Sequence, residues 1–185
     1  MDTHIDRLLI DRDSIAERVE QLGAQVVSDL GATADDGRLV VMPVMTGSLV
    51  FTADLVRCLP LSFRILPVTV SSYTSGLTQS GGVVSASPLP AGIEGKVVLL
   101  VEDILDSGQT LAWLIEALTA AGAAEVHCCT LLRKDVERVA DVDCTYVGFD
   151  IPDVFVVGYG LDWDGLHRNL PDIAVLKVGE AGMPN

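Results

Sequence analysis

Apolar runs alternate with helical patterns along this chain, and the alternation predicts a parallel sheet covered by helices on both faces. Several runs are apolar at every position, as expected for strands that are buried on both faces. The fold class predicted is therefore α/β, with a central and mostly parallel sheet. The predicted strands are Leu39–Val44, Ile65–Val70, Lys96–Val101, Val126–Leu132, Thr145–Phe149 and Ile173–Val178.

Three segments have the pattern of helices that would flank this sheet. They are Asp13–Leu30, Ser48–Cys58 and Gly108–Ala121. The first opens with the acceptor side chains of Asp13 and Ser14, and the third is followed by Gly122, which suits a helix end. Apolar residues of the third recur at i, i+3, i+4 and i+7 and predict one face laid on the sheet: Leu111, Leu114, Ile115 and Leu118.

The stretch between Ser71 and Gly95 is rich in Ser, Gly, Thr and Pro. A connection of this length inside a compact domain is usually an active-site lid or a disordered connector, and we favour a lid over about residues 71–95. The 185 residues show neither an internal repeat nor an interdomain linker. This favours a single domain over residues 1–185, with a frayed tail at about residues 179–185.

Composition narrows the classes of function. A formal net charge of −14 would repel a phosphate backbone, so nucleic acid is not an expected partner. No apolar run approaches the roughly 20 residues of a membrane span, and the first residues lack a secretory pattern. We therefore expect a cytoplasmic protein without membrane contact. The cysteines lack a C-x-x-C spacing and are interpreted as small core residues: Cys58, Cys128, Cys129 and Cys144.

The strongest chemical signal follows the predicted strand Lys96–Val101. Glu102 and Asp103 come directly after it, and Asp106-Ser-Gly-Gln-Thr110 runs into the helix. In an open parallel sheet, ligands bind beyond the carboxyl ends of the strands. A helix N-terminus with a glycine and two hydroxyls suits a phosphate monoester, while paired carboxylates suit ribose hydroxyls or a magnesium ion. The order of these residues therefore predicts that phosphate and sugar are bound by the same short loop after the strand.

Asp106 and Ser107 also have a plain structural interpretation. Asp-Ser before a helix is an ordinary N-cap, and acidic residues are common where strands end. The complete order of buried strand, acids, Ser-Gly-x-Thr and amphipathic helix is more restrictive than either feature, and it favours a binding site.

This stretch resembles the phosphoribosyl-pyrophosphate motif of the hypoxanthine-guanine phosphoribosyltransferases: Val97-Val-Leu-Leu-Val-Glu-Asp-Ile-Leu-Asp-Ser-Gly-Gln-Thr110. The resemblance runs from about Leu8 to about Val178 and includes the blocks Ser71-Ser-Tyr73, Val147 to Asp162, and Arg168-Asn-Leu-Pro171. It implies a type I phosphoribosyltransferase-like fold, with a small hood formed by terminal segments and a flexible lid loop. The implied function is purine salvage. A 5-phosphoribosyl group passes from phosphoribosyl pyrophosphate to a 6-oxopurine, hypoxanthine or guanine, to give IMP or GMP plus pyrophosphate with Mg²⁺ present.

The resemblance also assigns roles to residues. The phosphoribosyl-binding positions are Glu102, Asp103, Ser107, Gly108, Gln109 and Thr110. Asp106 matches the carboxylate that acts as general base or acid near the purine N7. Lys134 matches the lysine that hydrogen-bonds the 6-oxo group, Phe155 the aromatic residue that stacks on the base, and the Val156 carbonyl would meet the exocyclic amine of guanine. Taken alone, Lys134 would be an exposed lysine and Phe155 a core residue.

The pyrophosphate side of the implied site is less basic than in many relatives. Its matching positions are Thr46, Gly47 and Arg168, and the implied magnesium ligands are Glu102, Asp103 and Asp162. Thr46 stands where the family usually has a basic residue, and residues 74–94 contain no Lys or Arg. Ser72 and Tyr73 match the lid that closes over the reacting centre. Taken alone, Asp162 and Arg168 could each be an exposed salt-bridge partner of little consequence.

Other functions stay open at this point. A transferase that prefers xanthine and guanine would differ only in pocket detail, and a catalytically degenerate nucleotide sensor would fit the missing charge at Thr46. A pyrimidine-operon regulator on the same fold binds RNA, which the charge of −14 and the presence of Asp106 disfavour. The resemblance further implies a homo-oligomer, either a homodimer or a homotetramer.

Overall fold

The protein is described by a computed structural model that covers residues 5–72 and 84–177. The helices are α1 (Arg12–Asp35), α2 (Leu49–Arg57) and α3 (Gln109–Ala120). The strands are β1 (Ile5–Ile10), β2 (Leu39–Met45), β3 (Arg64–Ile65), β4 (Val68–Ser72), β5 (Val84–Ala86), β6 (Val97–Leu105), β7 (Glu125–Lys134), β8 (Tyr146–Ile151), β9 (Val156–Val157) and β10 (Ile173–Leu176).

The central sheet has the strand order β5-β4-β2-β6-β7-β8. All of its neighbouring pairs from β4 to β8 are parallel, while β5 pairs with β4 in the antiparallel sense. The short strand β3 pairs in parallel with the first half of β2. The predicted α/β class with a mostly parallel sheet is therefore confirmed.

Both faces of this sheet are buried, because successive side chains of a strand point to opposite sides. Val41 and Leu99 belong to the core beneath α1 and α2, whereas Val40 and Leu100 belong to the core beneath α3. The predicted apolar face of α3 is confirmed, with Leu111, Leu114 and Leu118 buried and Ile115 partly buried. Full burial of one such side chain contributes roughly 1.5–3 kcal/mol to the free energy of folding. The two cores therefore hold the helices firmly against the sheet, and the sheet positions the residues at the ends of its strands.

The sequence pattern is wrong about three strands. Ile65–Val70 is two strands, separated at Leu66-Pro67, where proline offers no N–H for pairing. The strand predicted to end at Val101 continues to Leu105, because β6 goes on pairing with β7. The segment from Ile173 is strand only to Leu176, and it does not join the central sheet.

A second, three-stranded sheet holds β10 between β1 and β9, all antiparallel. It is built from both ends of the described chain, which confirms the expected hood of terminal segments. Neither β1 nor β9 was predicted: Asp6 and Arg7 interrupt the apolar pattern of β1, and β9 has only two residues.

The ends of the helices differ from the prediction at α1 and agree at α3. Asp11 caps α1, since its carboxylate accepts from the Ser14 N–H at 2.8 Å, so Asp13 and Ser14 lie in the first turn rather than at the cap. The helix also runs past Leu30 to Asp35. Gly122, with a φ of +85°, follows α3 as predicted.

Two further expectations concern the cysteines and the membrane. All four cysteines are free thiols, and Cys128 and Cys129 are buried, in agreement with a packing role. In the part of the chain that the structure describes, no helix has both the length and the apolar character of a membrane span.

The predicted lid begins as regular structure. β4 continues to Ser72 and β5 returns antiparallel to it, with Ser72 opposite Val84. Tyr73 and the predicted frayed tail at residues 179–185 lie outside the described residues. Since β4 also pairs with the end of β2, the base of the lid stands beside the turn that follows β2.

Candidate active site

The carboxyl ends of β2, β6, β7 and β8 lie at one edge of the central sheet, because these strands are parallel neighbours. β2 leads into the turn at residues 46–48 and β6 into the loop at residues 106–108. The candidate residues on β7 and after β8 lie at the same edge, where an open α/β sheet binds its ligands.

The loop after β6 is shaped by Gly108, the N-cap of α3. Its φ is +80°, a conformation that favours glycine, and a Cβ there would run into the Ala140 carbonyl. The Ser107 carbonyl accepts from the Val139 and Ala140 N–H groups at 3.0 and 3.1 Å. Within residues 5–72 and 84–177, no side chain caps α3 and its N-cap is Gly108, so the ordinary N-cap interpretation of Asp106 and Ser107 is wrong. The first N–H groups of α3 are left for another acceptor.

A pocket of about 230 Å³ opens over this loop. It is lined by residues 102–108 together with Thr110 and Leu111. All but one of the predicted phosphoribosyl-binding residues therefore come together here. Gln109 is the exception, since it does not line the pocket.

The two adjacent carboxylates lie inside β6 rather than after it. Glu102 is buried, and its Oε2 has no hydrogen-bond partner within residues 5–72 and 84–177. Burial and the charge of Asp103 raise the pKa of Glu102 well above its ordinary value. Asp103 is less buried and accepts from the Ile104 N–H at 3.0 Å. Asp103 also lines a second pocket, so it stands between two binding spaces.

The turn after β2 lies directly against these acids. The Met45–Thr46 peptide bond is cis, and Thr46 is exposed. A Cβ on Gly47 would overlap the Asp103 carboxylate, and one on Gly160 would overlap the Gly47 carbonyl oxygen. Glycine at position 47 therefore lets the turn, the Asp103 carboxylate and the segment around Gly160 meet.

The second pocket has a volume of about 210 Å³. Its lining residues are Asp103, Ile104, Asp106, Lys134, Val154, Phe155, Val156, Leu161 and Asp162. It thus gathers all three residues of the predicted purine site with the predicted acid–base residue, Asp106. Phe155 is 40% exposed, so the core interpretation of this residue is wrong. Apolar walls with a few charged groups suit a flat heterocycle that has polar edges.

Lys134 is held between two carboxylates. Its Nζ lies 3.3 Å from Asp106 Oδ2 and 3.0 Å from Asp153 Oδ1, and its side chain is only 13% exposed. Burial opposes the charge, but the hydrogen bond to Asp153 and the charge of Asp106 outweigh it and raise the pKa of Lys134. The interpretation as an exposed lysine is wrong. Asp153 was missed, although its place after β8 in Ile151-Pro-Asp153 could have indicated it.

Arg168 and Asp162 form an ion pair, as the plain interpretation allows. Arg168 Nη2 lies 2.6 Å from Asp162 Oδ1, and Arg168 Nη1 donates to the Gly160 carbonyl at 2.6 Å. Asp162 also accepts from the Gly165 N–H at 2.7 Å. Because Gly160 packs on Gly47, this pair lies close to the turn after β2. Thr46, Gly47 and Arg168, the predicted pyrophosphate side, therefore come from neighbouring segments.

The hood supports the aromatic wall of the second pocket. The Phe155 carbonyl accepts from the Leu176 N–H at 3.0 Å, and Val156 in β9 pairs with Val175 in β10. Val156 is buried, in contrast to its neighbour Phe155. The wall is thus fixed by the strand that lies near the end of the described chain.

Comparison with known proteins identifies the family of this chain. Residues 11–164 match the family model described as phosphoribosyl transferase domain. The hypoxanthine-guanine phosphoribosyltransferase of Mycobacterium avium is 41% identical over 93% of this chain and 86% of its own length, and that of Bacillus subtilis is 39% identical over 94% of each. The solved hypoxanthine phosphoribosyl transferase of Trypanosoma cruzi is 33% identical with a TM-score of 0.86, over 96% of this chain and 94% of that one. The chain therefore belongs to the family of hypoxanthine-guanine phosphoribosyltransferases.

Proposed function

We propose that this enzyme transfers 5-phosphoribosyl from phosphoribosyl pyrophosphate to hypoxanthine or guanine in purine salvage, giving IMP or GMP plus pyrophosphate. The observation that carries this is the position of Asp106, which lines both pockets, one over a helix N-terminus and one with an aromatic wall. A residue in that place can act on a base while the sugar phosphate is held next to it.

The first pocket is assigned to the phosphoribosyl group. Its 5′-phosphate would accept hydrogen bonds from the first N–H groups of α3 and from the hydroxyls of Ser107 and Thr110. Glu102 and Asp103 would accept from the ribose hydroxyls. The electrostatic reason is the partial positive charge at the N-terminus of α3, in a protein that is otherwise strongly acidic.

The second pocket is assigned to the purine. Asp106 would take the proton from purine N7 as the bond from the ribose C1 to N9 forms and the bond from C1 to the pyrophosphate oxygen breaks. The Lys134 ammonium would donate to the 6-oxo group, which adenine lacks. Phe155 would stack on the ring, and the Val156 carbonyl would accept from the amino group of guanine.

The leaving pyrophosphate is assigned to the backbone of Thr46 and Gly47 and to Arg168. A guanidinium suits this role because its forked N–H groups match phosphate oxygens. Since Arg168 is paired with Asp162, the pyrophosphate must compete with that carboxylate. Ser72 and Tyr73 are assigned to a lid that excludes water from the reacting carbon.

Mg²⁺ is the proposed cofactor, held by Glu102, Asp103 and Asp162. The donor set fits a hard cation, and the buried Glu102 Oε2 without a partner is the kind of oxygen that a cation would satisfy. No three His, Cys, Asp or Glu side chains of residues 5–72 and 84–177 form a metal cluster by themselves. The three proposed carboxylates would therefore not surround one ion without substrate, and phosphate oxygens would have to complete the coordination. Mg²⁺ is commonly bound in this way, and it would neutralise developing charge there.

A homodimer or homotetramer in the cytoplasm completes the proposal. The study of the Trypanosoma cruzi relative concerns the role of its C-terminal region in oligomeric state and enzymatic activity. Here β10, near the end of the described chain, borders the purine pocket through Phe155. Light scattering coupled to size-exclusion chromatography would give the number of subunits, and a monomer would refute this part.

A steady-state assay tests the function. The enzyme is given phosphoribosyl pyrophosphate and Mg²⁺ with hypoxanthine, guanine, xanthine, adenine or uracil in separate reactions. We expect turnover with hypoxanthine and guanine and none with adenine or uracil. Preference for xanthine would correct the substrate, and no turnover with any base would overturn the proposal in favour of a nucleotide-binding sensor.

A further inference from the structure

Lys134 has one more N–H group than the two carboxylates beside it can occupy within residues 5–72 and 84–177. An ammonium carries three N–H groups, and the nearby carboxylates, Asp106 Oδ2 at 3.3 Å and Asp153 Oδ1 at 3.0 Å, account for two. Asp106 comes from the loop after β6 and Asp153 from the segment after β8, so the ammonium is held between two separate parts of the chain. The third N–H is available to a ligand in the pocket that Lys134 lines.

The two carboxylates stand in different places. Asp106 lines the purine pocket, whereas Asp153 does not and is 67% exposed. With Asp153 present, the ammonium is shared: it lies 3.0 Å from Asp153 Oδ1 and 3.3 Å from Asp106 Oδ2. Without it, Asp106 Oδ2, which lies 3.3 Å away, would be the nearest carboxylate and would compete with the base for the ammonium.

We propose that Asp153 is a positioning residue, which shares the Lys134 ammonium with Asp106 so that neither group is taken up by the other alone and both can reach a 6-oxopurine. This inference rests on the proposed function. It assigns Asp153 a role in base recognition without contact to the base.

The neighbouring pair Arg133–Asp150 provides a matched comparison. Arg133 precedes Lys134 in β7, and its Nε lies 2.6 Å from Asp150 Oδ1. The Asp150 side chain is 66% exposed, against 67% for Asp153, so the two carboxylates have almost the same access to solvent. Neither Arg133 nor Asp150 lines the purine pocket. Loss of either aspartate removes one charge from the same edge of the sheet, but only Asp153 touches Lys134.

Asp153→Asn is expected to raise the KM for hypoxanthine and guanine by roughly five- to tenfold, a modest effect because the pair is partly solvent-screened. The KM for phosphoribosyl pyrophosphate should change by less than about twofold, since the phosphate pocket does not include Asp153. A general loss of structure would instead affect both substrates. Asp153→Glu keeps the charge and should recover part of the affinity for the base.

The pH profile supplies a second readout. Among the described residues, the carboxylates in contact with the Lys134 ammonium are Asp106 and Asp153, and Asp103 and Asp162 line the purine pocket with it. The charged residues that line the neighbouring pocket together with Lys134 are Arg133, Asp135, Arg138 and Asp150. Protonated Lys134 donates to the base, so binding is lost as the pH rises through its pKa. Removing the Asp153 charge lowers that pKa, and the alkaline limb of kcat/KM should move to lower pH. Ionisation of the purine itself cancels when the variant is compared with wild type at each pH.

The experiment measures KM for both substrates, kcat and the pH profile for wild type, Asp153→Asn, Asp153→Glu and Asp150→Asn. The expected result is a base-specific KM increase and a shifted alkaline limb in Asp153→Asn, with Asp150→Asn like wild type. Equal KM values in Asp153→Asn and Asp150→Asn would overturn the role of Asp153. Absence of turnover in the wild type would instead refute the proposed function, so the two failures are distinguishable.

Discussion

Replacement of Asp106 by asparagine separates its chemical role from its structural one. Asparagine is nearly isosteric but cannot accept a proton at neutral pH, so we expect kcat to fall by roughly 10²–10⁴, which corresponds to about 2.7–5.4 kcal/mol of transition-state stabilisation. The expected loss of folding free energy is much smaller. The contact of Asp106 with Lys134 Nζ is 3.3 Å long and the Asp106 side chain is 54% exposed, so its contribution to folding is at most about 1 kcal/mol after solvent screening.

The assay is therefore a pair of measurements on one variant. Steady-state kinetics with hypoxanthine give kcat, and a thermal melt gives stability, which should change by only a few degrees. Asp135→Asn is the control, because Asp135 is an exposed aspartate next to Lys134 that does not line the purine pocket. A kcat for Asp106→Asn within about threefold of wild type would remove Asp106 from the mechanism, and a large loss of stability would mean that the rate reports misfolding.

Three further outcomes can be checked independently. Lys134→Met should raise the KM for hypoxanthine by roughly 10-fold or more, through loss of a charged donor, while leaving the KM for phosphoribosyl pyrophosphate near wild type; comparable rises for both substrates would contradict the assignment of Lys134 to the base. Gly47→Ala should raise the KM for phosphoribosyl pyrophosphate, because the new Cβ would displace the Asp103 carboxylate; normal kinetics would show that the turn can yield. The pKa of Asp172 is lowered by its hydrogen bonds from Arg12, so its contribution to stability is present above the unfolded value near 3.8 and is lost as the pH falls through the lower folded value. Urea midpoints measured from pH 6 to pH 2 should therefore fall less steeply for Asp172→Asn than for wild type, and parallel curves would contradict this.

The central parallel sheet could be predicted from the apolar runs, because such a sheet is buried on both faces. Val40 and Val41 face different cores, yet both must be apolar, so the run itself is informative. The hood could be expected only through family resemblance. Asp6 and Arg7 break the apolar pattern of β1, and β9 is too short to have one, so their pairing depends on contacts between distant parts of the chain.

The candidate site was predictable where its residues are consecutive. The motif at residues 102–110 can be recognised directly from its sequence. The predicted strand nevertheless ended at Val101, because an acidic residue such as Glu102 was expected to follow the strand. Glu102 is in fact buried inside β6. Burial of a carboxylate costs desolvation free energy, so a local sequence pattern gives no reason to expect it. Asp153 was missed for another reason: its importance depends on the distance to Lys134, which is set by the pairing of β7 with β8.

The pairing of β9 with β10 has a consequence for how substrate preference could be altered. The phosphate loop belongs to the central sheet and α3, whereas the backbone of Phe155 is attached to a strand of the small sheet. We therefore expect substitutions in β1 or β10 to act on the wall formed by Phe155 rather than on the loop at residues 106–110. Under the proposed assignment of the two pockets, we expect the choice of base to be altered through β1 and β10, provided that the residues shared by both pockets, Asp103, Ile104 and Asp106, are left unchanged.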